Sequence, residues 1–196
     1  MRIVGILLAA GKGARFGGDK LLAPLRLAAV GIPAGTPIGM ASCRHLVAAL
    51  PETIAVVRPR DAELALALAA ENARVIECAR ADEGMGASLA CAVAAAPDAD
   101  GWVVALADMP WIQPDTIRLV ADALRGGADI AAPSYRDERG HPVGFARRHY
   151  AALAASRGDE GARVIVTANR DHLTLCATVD PGVVRDVDRL SDLEEP

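Results

Sequence analysis

A glycine-rich segment with two basic side chains follows the first apolar run of the sequence. The run Ile3–Ala9 leads into a segment in which Gly11 and Gly13 precede Arg15 and Lys20. Small residues let backbone N–H groups approach a phosphate closely, and an Arg fork with a Lys point charge suits several phosphate oxygens at once. The segment therefore predicts phosphate binding, in preference to an ordinary glycine-rich turn with solvated charges.

This segment lacks the spacing of two common nucleotide-binding motifs. A Walker A loop requires a Lys and a hydroxyl residue directly after its second glycine, but Asp19 follows Gly18. A dinucleotide fingerprint requires a third glycine at the position of Phe16. The segment alone leaves the class of phosphate ligand open.

A carboxylate stands at the end of a second apolar run. Asp108 follows Trp102–Ala107, which reads as a fully buried strand. An unpaired carboxylate is unfavourable in a core, whereas at the carboxyl end of a strand, beside substrate phosphates, it suits Mg²⁺. Asp108 is therefore a predicted Mg²⁺ ligand, with a helix cap or a turn as the alternative.

Three further segments have the composition of ligand-binding loops. Gly84, Gly86 and Ser88 open a predicted helix whose first N–H groups could meet a base, a ribose or a phosphate, and close helix packing is the alternative. Segments 139–143 and 158–163 are polar and contain glycines, and we expect them to meet a second substrate. Zinc-ligand spacing and a Gly-x-Ser-x-Gly elbow are both absent from the sequence, which argues against zinc and serine hydrolases.

Apolar runs alternate with helical segments along most of the chain. This spacing predicts a mainly parallel α/β sheet with helices on both faces, and ligands bind such sheets at the carboxyl ends of the strands. Over 196 residues it predicts a single domain, 1–196, with an elaborated later half. Strands are predicted at Ile3–Ala9, Thr53–Val57, Val75–Cys78, Trp102–Ala107, Asp129–Pro133, Leu173–Val179 and Val183–Val187; helices at Gly39–Leu50, Asp61–Ala73, Gly84–Ala96, Pro114–Leu124, Arg147–Ser156 and Gly161–Ala168; a turn or hairpin at Tyr135–Val143; and a loop at Leu25–Ile38.

Composition argues against several partners. A net charge of −4 and only 3% aromatic residues are unlike a nucleic-acid-binding protein. No apolar run approaches the roughly 18 residues of a membrane-spanning helix. The four cysteines form no Cys-x-x-Cys pair and are expected to be reduced, buried residues of a cytoplasmic protein.

The chain resembles the MobA-like nucleotidyltransferases of the molybdenum-cofactor cytidylyltransferase type over nearly its whole length. The Gly-His-Pro and Gly-Asp-Glu-Gly-Ala-Arg blocks are more specific to the cofactor-modifying branch than the other motifs, of which the first and third are shared by many nucleotidyltransferases. The motifs that carry the resemblance are Leu8-Ala9-Ala10-Gly11 with Gly13, Arg15 and Lys20; Gly84–Leu89; Ala107–Pro110; Arg139–Val143; Gly158–Arg163; and Asp186-Val187-Asp188.

This resemblance implies a Rossmann-like fold and transfer of CMP from CTP to the terminal phosphate of molybdopterin, with release of pyrophosphate. A recipient molybdoenzyme or its chaperone is the implied protein partner. The implied site comprises the backbone of Leu8, Ala9, Ala10, Gly11 and Gly13 for the nucleotide; Arg15 for the departing phosphates; Lys20 for the α-phosphate; Asp108 for Mg²⁺; Gly84, Gly86 and Ser88 for the base and ribose; and His141, Asp159 and Arg163 facing the pterin.

Two departures from the family pattern bear on the site. The family usually ends in Asp-x-Asp-Thr-Pro-x-Asp-Leu, whereas Arg189-Leu190-Ser191 follows Asp188 here, so a second-metal role for Asp186 or Asp188 stays open. The Leu25–Ile38 stretch is also longer than expected. Ala10 favours CTP, because relatives with Leu-Ala-Gly-Gly in this loop tend to use GTP. GTP, another phosphorylated acceptor, a non-catalytic molybdopterin-delivery chaperone and an NAD(P) oxidoreductase are the alternatives.

Overall fold

The computed structural model of the chain describes residues 1–11, 13 and 16–194. Within this part of the chain, strands and helices alternate as the apolar pattern predicts. The strands are β1 (Ile3–Leu8), β2 (Thr53–Val57), β3 (Arg74–Glu77), β4 (Gly101–Leu106), β5 (Ile130–Tyr135), β6 (Glu138–Arg139), β7 (Val143–Ala146) and β8 (Leu173–Ala177); the helices are α1 (Ile38–Ala49), α2 (Ala62–Ala70), α3 (Met85–Ala94), α4 (Pro114–Arg125), α5 (Tyr150–Ala154) and α6 (Arg163–Ala168).

One sheet joins all of these strands in the order β3-β2-β1-β4-β7-β5-β6, with β8 paired to β5. The β1–β2, β1–β4, β2–β3 and β5–β8 pairs are parallel, whereas β7 runs antiparallel to β4 and β5, and β6 antiparallel to β5. The predicted mainly parallel α/β class is confirmed. Leu8 is in register with Val56 and Leu106, so the carboxyl ends of β1, β2 and β4 meet at one edge of the sheet.

Apolar side chains of the central strands enter cores on both faces of the sheet. In β1, Ile3 and Leu7 join the core under α1, α2 and α4, while Val4 and Ile6 join the core under α3, α5 and α6. Burial on both faces explains why the strands read as continuous apolar runs rather than alternating ones.

Two parts of the later half differ from the sequence-based prediction. Val143–Ala146 forms strand β7, which the sequence placed partly in a turn, because Gly144 lets α4 approach: a Cβ there would lie 2.9 Å from Val120 Cγ1. The predicted strand Val183–Val187 is wrong. Its first residues belong to a 3₁₀ turn, Pro181–Val184, in which the Asp180 carboxylate accepts a 2.9 Å hydrogen bond from Gly182 N.

The Leu25–Ile38 stretch is irregular, as predicted, with one isolated antiparallel bridge inside it, Ala29–Ile32, and a second that joins Pro37 to Pro24. Most of the stretch is exposed, but Leu25, Ile32 and Ile38 are buried in a small third core. This core ties the stretch to the glycine-rich segment on one side and to the 187–193 region on the other. Its buried members are Phe16, Leu25, Ile32, Ile38, Ala41, Val187 and Leu193.

The cysteines are all free thiols; Cys43 and Cys78 are buried, whereas Cys91 and Cys176 are partly exposed, contrary to the expectation of burial for all four. Burial raises the pKa of the Cys43 thiol to about 12, so it stays protonated. None of the helices in the described residues is both long enough and apolar enough to cross a membrane.

Candidate functional site

Lys20 and Asp108 form an ion pair at the carboxyl edge of the sheet. Asp108 comes two residues after β4 ends, and Lys20 opens a 3₁₀ turn after β1. The Lys20 Nζ atom lies 2.7 Å from Asp108 Oδ2, and the two side chains are 11% and 25% exposed. Partial burial strengthens this charge-assisted hydrogen bond, because the surrounding dielectric is lower than that of water. The structure thus brings together two residues that the sequence predicts for phosphate and metal binding.

The glycines before Lys20 give the segment the turns that position this side chain. Gly13 has a φ of +56° and Gly17 a φ of +81°, a region that glycine enters without steric penalty. Phe16 N donates to Gly13 O at 2.9 Å, and Lys20 N donates to Gly18 O at 2.9 Å. Lys12, Ala14 and Arg15 lie outside the described residues, so the predicted phosphate role of Arg15 remains a sequence-based expectation.

Two further carboxylates approach the ion pair from the end of the chain. Val187 N donates to the backbone oxygen of Asp108 at 2.9 Å, which places Asp186 and Asp188 beside it. Asp188 Oδ1 lies 3.9 Å from Lys20 Nζ. The pKa of Asp186 is raised, first by burial and then by the charges of Asp108 and Asp188. The structure therefore gathers three carboxylates around one ammonium group.

The unusual sequence after Asp188 does not displace this segment. The Asp192 carboxylate accepts hydrogen bonds from the backbone N–H groups of Asp188, at 2.8 Å, and Arg189, at 2.6 Å. Leu193 is buried in the third core beside Val187. Asp192 and Leu193 thus anchor the chain where the family pattern has its own Asp-Leu pair.

A divalent cation fits the donor set at this position. Among residues 1–11, 13 and 16–194, no three His, Cys, Asp or Glu side chains are grouped as ligands of a metal ion. Mg²⁺ does not need three, since it is usually bound by one or two carboxylates together with substrate phosphates and water. Asp108, aided by Asp186 or Asp188, supplies the hard oxygen atoms that such an ion requires.

A small cavity, here called the lysine cavity, opens beside the ion pair. Its volume is about 90 Å³. Arg58, directly after β2, also lines it and donates from Nη2 to Gly11 O at 3.2 Å. Arg58 was not predicted as a site residue, although its position directly after a strand rich in β-branched residues is one where ligand-binding residues are expected. The other residues lining the cavity include Leu8, Ala9, Gly11, Gly13, Gly18, Asp19, Lys20, Asp61 and Asp108.

A larger cavity, here called the aspartate cavity, lies between the end of β1 and the start of α3. It measures about 480 Å³ and shares Leu8, Gly11 and Asp108 with the lysine cavity. It brings together the predicted nucleotide residues of two distant motifs. Its remaining lining residues are Ala10, Ala81, Asp82, Gly84, Met85, Ser88, Leu106 and Asp159.

Gly86 has a packing role that differs from its predicted one. Its N–H donates to Gly158 O at 2.8 Å, and a Cβ at Gly86 would lie 2.6 Å from backbone atoms of Arg157. The sequence predicts that Gly86 lines the base and ribose. In the structure Gly86 instead holds the 157–161 segment against α3, while Gly84 and Ser88 face the aspartate cavity.

The structure separates two residues that the resemblance assigns to the same ligand. Asp159 lines the aspartate cavity. Arg163 lines a third, more open cavity of about 880 Å³, here called the arginine cavity, together with Arg139, Arg170 and Glu160. The segment 159–163 therefore forms a partition between the two cavities.

His141 lines none of the three cavities described above. Its backbone N–H donates to Val183 O at 2.8 Å, and its buried Nδ1 atom has no partner among the described residues. Burial and then the charge of Arg139 lower its pKa to about 4, against the opposing effect of Asp108. The imidazole is therefore neutral near pH 7 and provides no permanent positive charge for a phosphate.

Comparison with known proteins adds to this geometry. Residues 5–173 match the MobA-like NTP transferase domain family. The chain is 29% identical to the purine catabolism protein PucB of Bacillus subtilis over 205 residues, covering 99% of this chain and 92% of that protein. It is 31% identical to nicotine blue oxidoreductase of Paenarthrobacter nicotinovorans over 199 residues, covering 97% and 94% of the two chains.

Solved structures share the whole fold. Rv0371c from Mycobacterium tuberculosis H37Rv superimposes with a TM-score of 0.83 at 30% identity, covering 99% of this chain and 96% of that one. A second structure of Rv0371c, in complex with manganese, gives a TM-score of 0.78 at 28% identity, with 99% and 97% coverage. These likenesses confirm the predicted Rossmann-like class.

Proposed function

The chain belongs to the MobA-like NTP transferase family, and we propose that it transfers CMP from CTP to the terminal phosphate of a molybdopterin cofactor. The single observation that carries this proposal is the Lys20–Asp108 pair, held at 2.7 Å where the carboxyl ends of β1 and β4 meet. A cation and a potential metal ligand in contact, beside two cavities, are what nucleotidyl transfer requires. The reaction depends on positioning and charge neutralisation more than on a protein nucleophile.

The nucleotide would lie across the lysine and aspartate cavities. Backbone groups of Leu8–Gly13 would hold it, with the base and ribose on the side of Gly84 and Ser88. Lys20 would neutralise the α-phosphate, and Arg58 would add charge on the same side. Arg15 is proposed, from the sequence, to hold the departing β- and γ-phosphates.

In the transfer step, an oxygen of the acceptor phosphate attacks the α-phosphorus of CTP. The bond from the α-phosphorus to the bridging oxygen breaks, and pyrophosphate leaves with both bonding electrons; no oxidant or reductant is needed. Lys20 meets the negative charge that grows on the α-phosphate, and Asp108 would hold Mg²⁺. That ion supplies charge neutralisation and orientation of the phosphates.

The arginine cavity is the proposed site of the acceptor. Arg139, Arg163 and Arg170 offer three planar donors suited to phosphate, and a volume of about 880 Å³ is ample for a pterin-sized molecule. Because the 159–163 partition lies between this cavity and the aspartate cavity, an acceptor bound here would lie next to the proposed nucleotide site. His141, neutral and buried near Arg139, would contribute hydrogen bonding rather than charge.

The alternative functions differ in measurable ways. A guanylyltransferase would favour GTP, whereas a delivery chaperone would bind molybdopterin without turnover. A nicotinamide-dependent reductase is a further alternative, since one relative is named an oxidoreductase. Against it, Phe16 stands where a dinucleotide fingerprint has its third glycine.

Pyrophosphate release with each nucleotide, with and without molybdopterin, tests the proposal. We expect release with CTP and Mg²⁺ that depends on molybdopterin, and slower release with GTP. A preference for GTP would overturn the choice of nucleotide. Absence of release with any nucleotide, together with tight molybdopterin binding, would favour the chaperone, and oxidation of NAD(P)H in the presence of a substrate dye would favour the reductase.

A further inference from the structure

The aspartate cavity has an electrostatic character that is unsuited to phosphates. Among the described residues that line it, the charged side chains are Asp82, Asp108 and Asp159. The adjoining lysine cavity is lined by the cations Lys20 and Arg58 as well as by Asp19, Asp61 and Asp108, so among the described residues of the two cavities it alone contains positive charge. A bound nucleoside triphosphate therefore has its phosphates directed to the lysine cavity and its base and ribose to the aspartate cavity. Groups that donate hydrogen bonds are favoured there, because carboxylates only accept them.

Asp159 is held at this cavity by close backbone packing. Gly84 has a φ of +111°, and a Cβ at Gly84 would lie 2.5 Å from Asp159 Oδ1. The hydrogen bond from Gly86 N to Gly158 O fixes the residue before Asp159 against the start of α3. The exposed Asp159 side chain thus lines the cavity together with Ala10, Gly11 and Ser88, and the backbone packing of Gly158 against Gly84 and Gly86 fixes where its chain passes.

Size alone does not separate the two pyrimidine nucleotides in such a cavity. Cytosine and uracil have nearly the same shape, but cytosine carries an amino group where uracil carries a carbonyl oxygen. A carboxylate accepts a hydrogen bond from the amino group and is repelled by the carbonyl oxygen. Charge on one side chain is therefore sufficient for discrimination.

We infer that Asp159 is a specificity-determining residue that accepts a hydrogen bond from the exocyclic amino group of the base and excludes uracil. The inference rests on the proposed function and changes the assignment of Asp159 from the acceptor to the nucleotide. Arg163, four residues later, stays with the acceptor in the arginine cavity. The partition then serves both substrates, with one end facing each.

Equilibrium binding of CTP and UTP, in the presence of Mg²⁺, tests this with the intact protein and three variants. A hydrogen bond to a charged group accounts for roughly a 10- to 100-fold preference, so wild-type protein should bind CTP that much more tightly than UTP. Asp159→Asn should bind the two nucleotides about equally, because an amide both donates and accepts. UTP affinity should rise in this variant, which a purely structural defect would not produce.

Two further variants test the removal of a distant charge and of the Asp159 side chain, and a 2′-deoxy nucleotide tests contact with the ribose. Asp137→Asn removes one exposed carboxylate from the turn between β5 and β6, and its CTP-to-UTP ratio should equal that of the wild type. Asp159→Ala should lose the preference, with weaker CTP binding and a smaller gain in UTP affinity than Asp159→Asn, because alanine removes the repulsion without adding a donor. An unchanged ratio in Asp159→Asn would overturn the inference. So would a 2′-deoxy-CTP defect that disappears in Asp159→Asn, since that result would place Asp159 on the ribose.

Binding and turnover can fail independently. Pyrophosphate release by the wild type reports on the proposed transferase activity. The CTP-to-UTP binding ratio reports on Asp159 without any acceptor. A protein that binds CTP selectively through Asp159 yet releases no pyrophosphate would refute the transferase and support the inference.

Discussion

Replacing Gly86 with alanine should displace the partition between the aspartate and arginine cavities. The added Cβ would lie 2.6 Å from the C, N and O atoms of Arg157, which are backbone atoms and cannot rotate away. Overpacking of this kind destabilises a protein by about 1–3 kcal/mol. At about 2–4 °C per kcal/mol for a chain of this size, the melting temperature should fall by roughly 2–12 °C. The hydrogen bond from Gly86 N to Gly158 O, at 2.8 Å, would lengthen or break.

Thermal unfolding and nucleotide binding together test this expectation. Gly126→Ala is the matched control, since its Cβ would meet only carbonyl oxygens at 3.4 Å and its φ is −77°. We expect the control to melt within about 2 °C of the wild type, and Gly86→Ala to lose affinity for CTP and UTP alike. Equal melting temperatures for the two variants, with normal CTP binding in Gly86→Ala, would refute the packing role of Gly86.

The remaining predictions concern the reacting groups and the base. Asp108→Asn should lower Mg²⁺-dependent turnover by roughly 100- to 1000-fold, because an amide is a weak Mg²⁺ ligand, while Asp115→Asn, on an exposed turn of α4, should not. Lys20→Ala should lower kcat more than CTP affinity, since its charge acts mainly in the transition state, and a change confined to the Michaelis constant would contradict that role. Ala10→Gly should reduce, but not reverse, the ratio of the catalytic efficiencies for CTP and GTP, because one methyl group accounts for only about 1–3 kcal/mol of discrimination. An unchanged ratio would place base selection elsewhere. The pKa of His141 in the folded chain, about 4, lies below its ordinary 6.5, so the stability it contributes is present above pH 6.5 and is lost as the pH falls towards 4. This loss should amount to about 3 kcal/mol in urea unfolding and should be absent from His141→Gln.

The sequence by itself determined which strands are buried on both faces of the sheet. It also determined which residue types follow those strands. Continuous apolar runs predict β1 and β4 because apolar character belongs to each side chain and can be read from the local sequence. The same runs show that glycines come after β1 and a carboxylate after β4. In a parallel sheet the carboxyl ends of the strands lie at one edge. Lys20 and Asp108 could therefore be predicted to lie at the same edge of the sheet although they are 88 positions apart, whereas the pairing of β1 with β4, which brings them into contact, is shown by the structure.

Only the tertiary structure decided which surfaces these residues share. Short strand β7 is set by its partners β4 and β5 and by the approach of α4, none of which its own sequence records. Gly86 faces the backbone of Arg157, and Asp159 and Arg163 line different cavities, because residues four apart in an irregular segment have no fixed common face. Local sequence encodes the apolar character of each side chain and the conformational freedom of the backbone. Contacts between distant segments decide on which side of the partition a side chain lies.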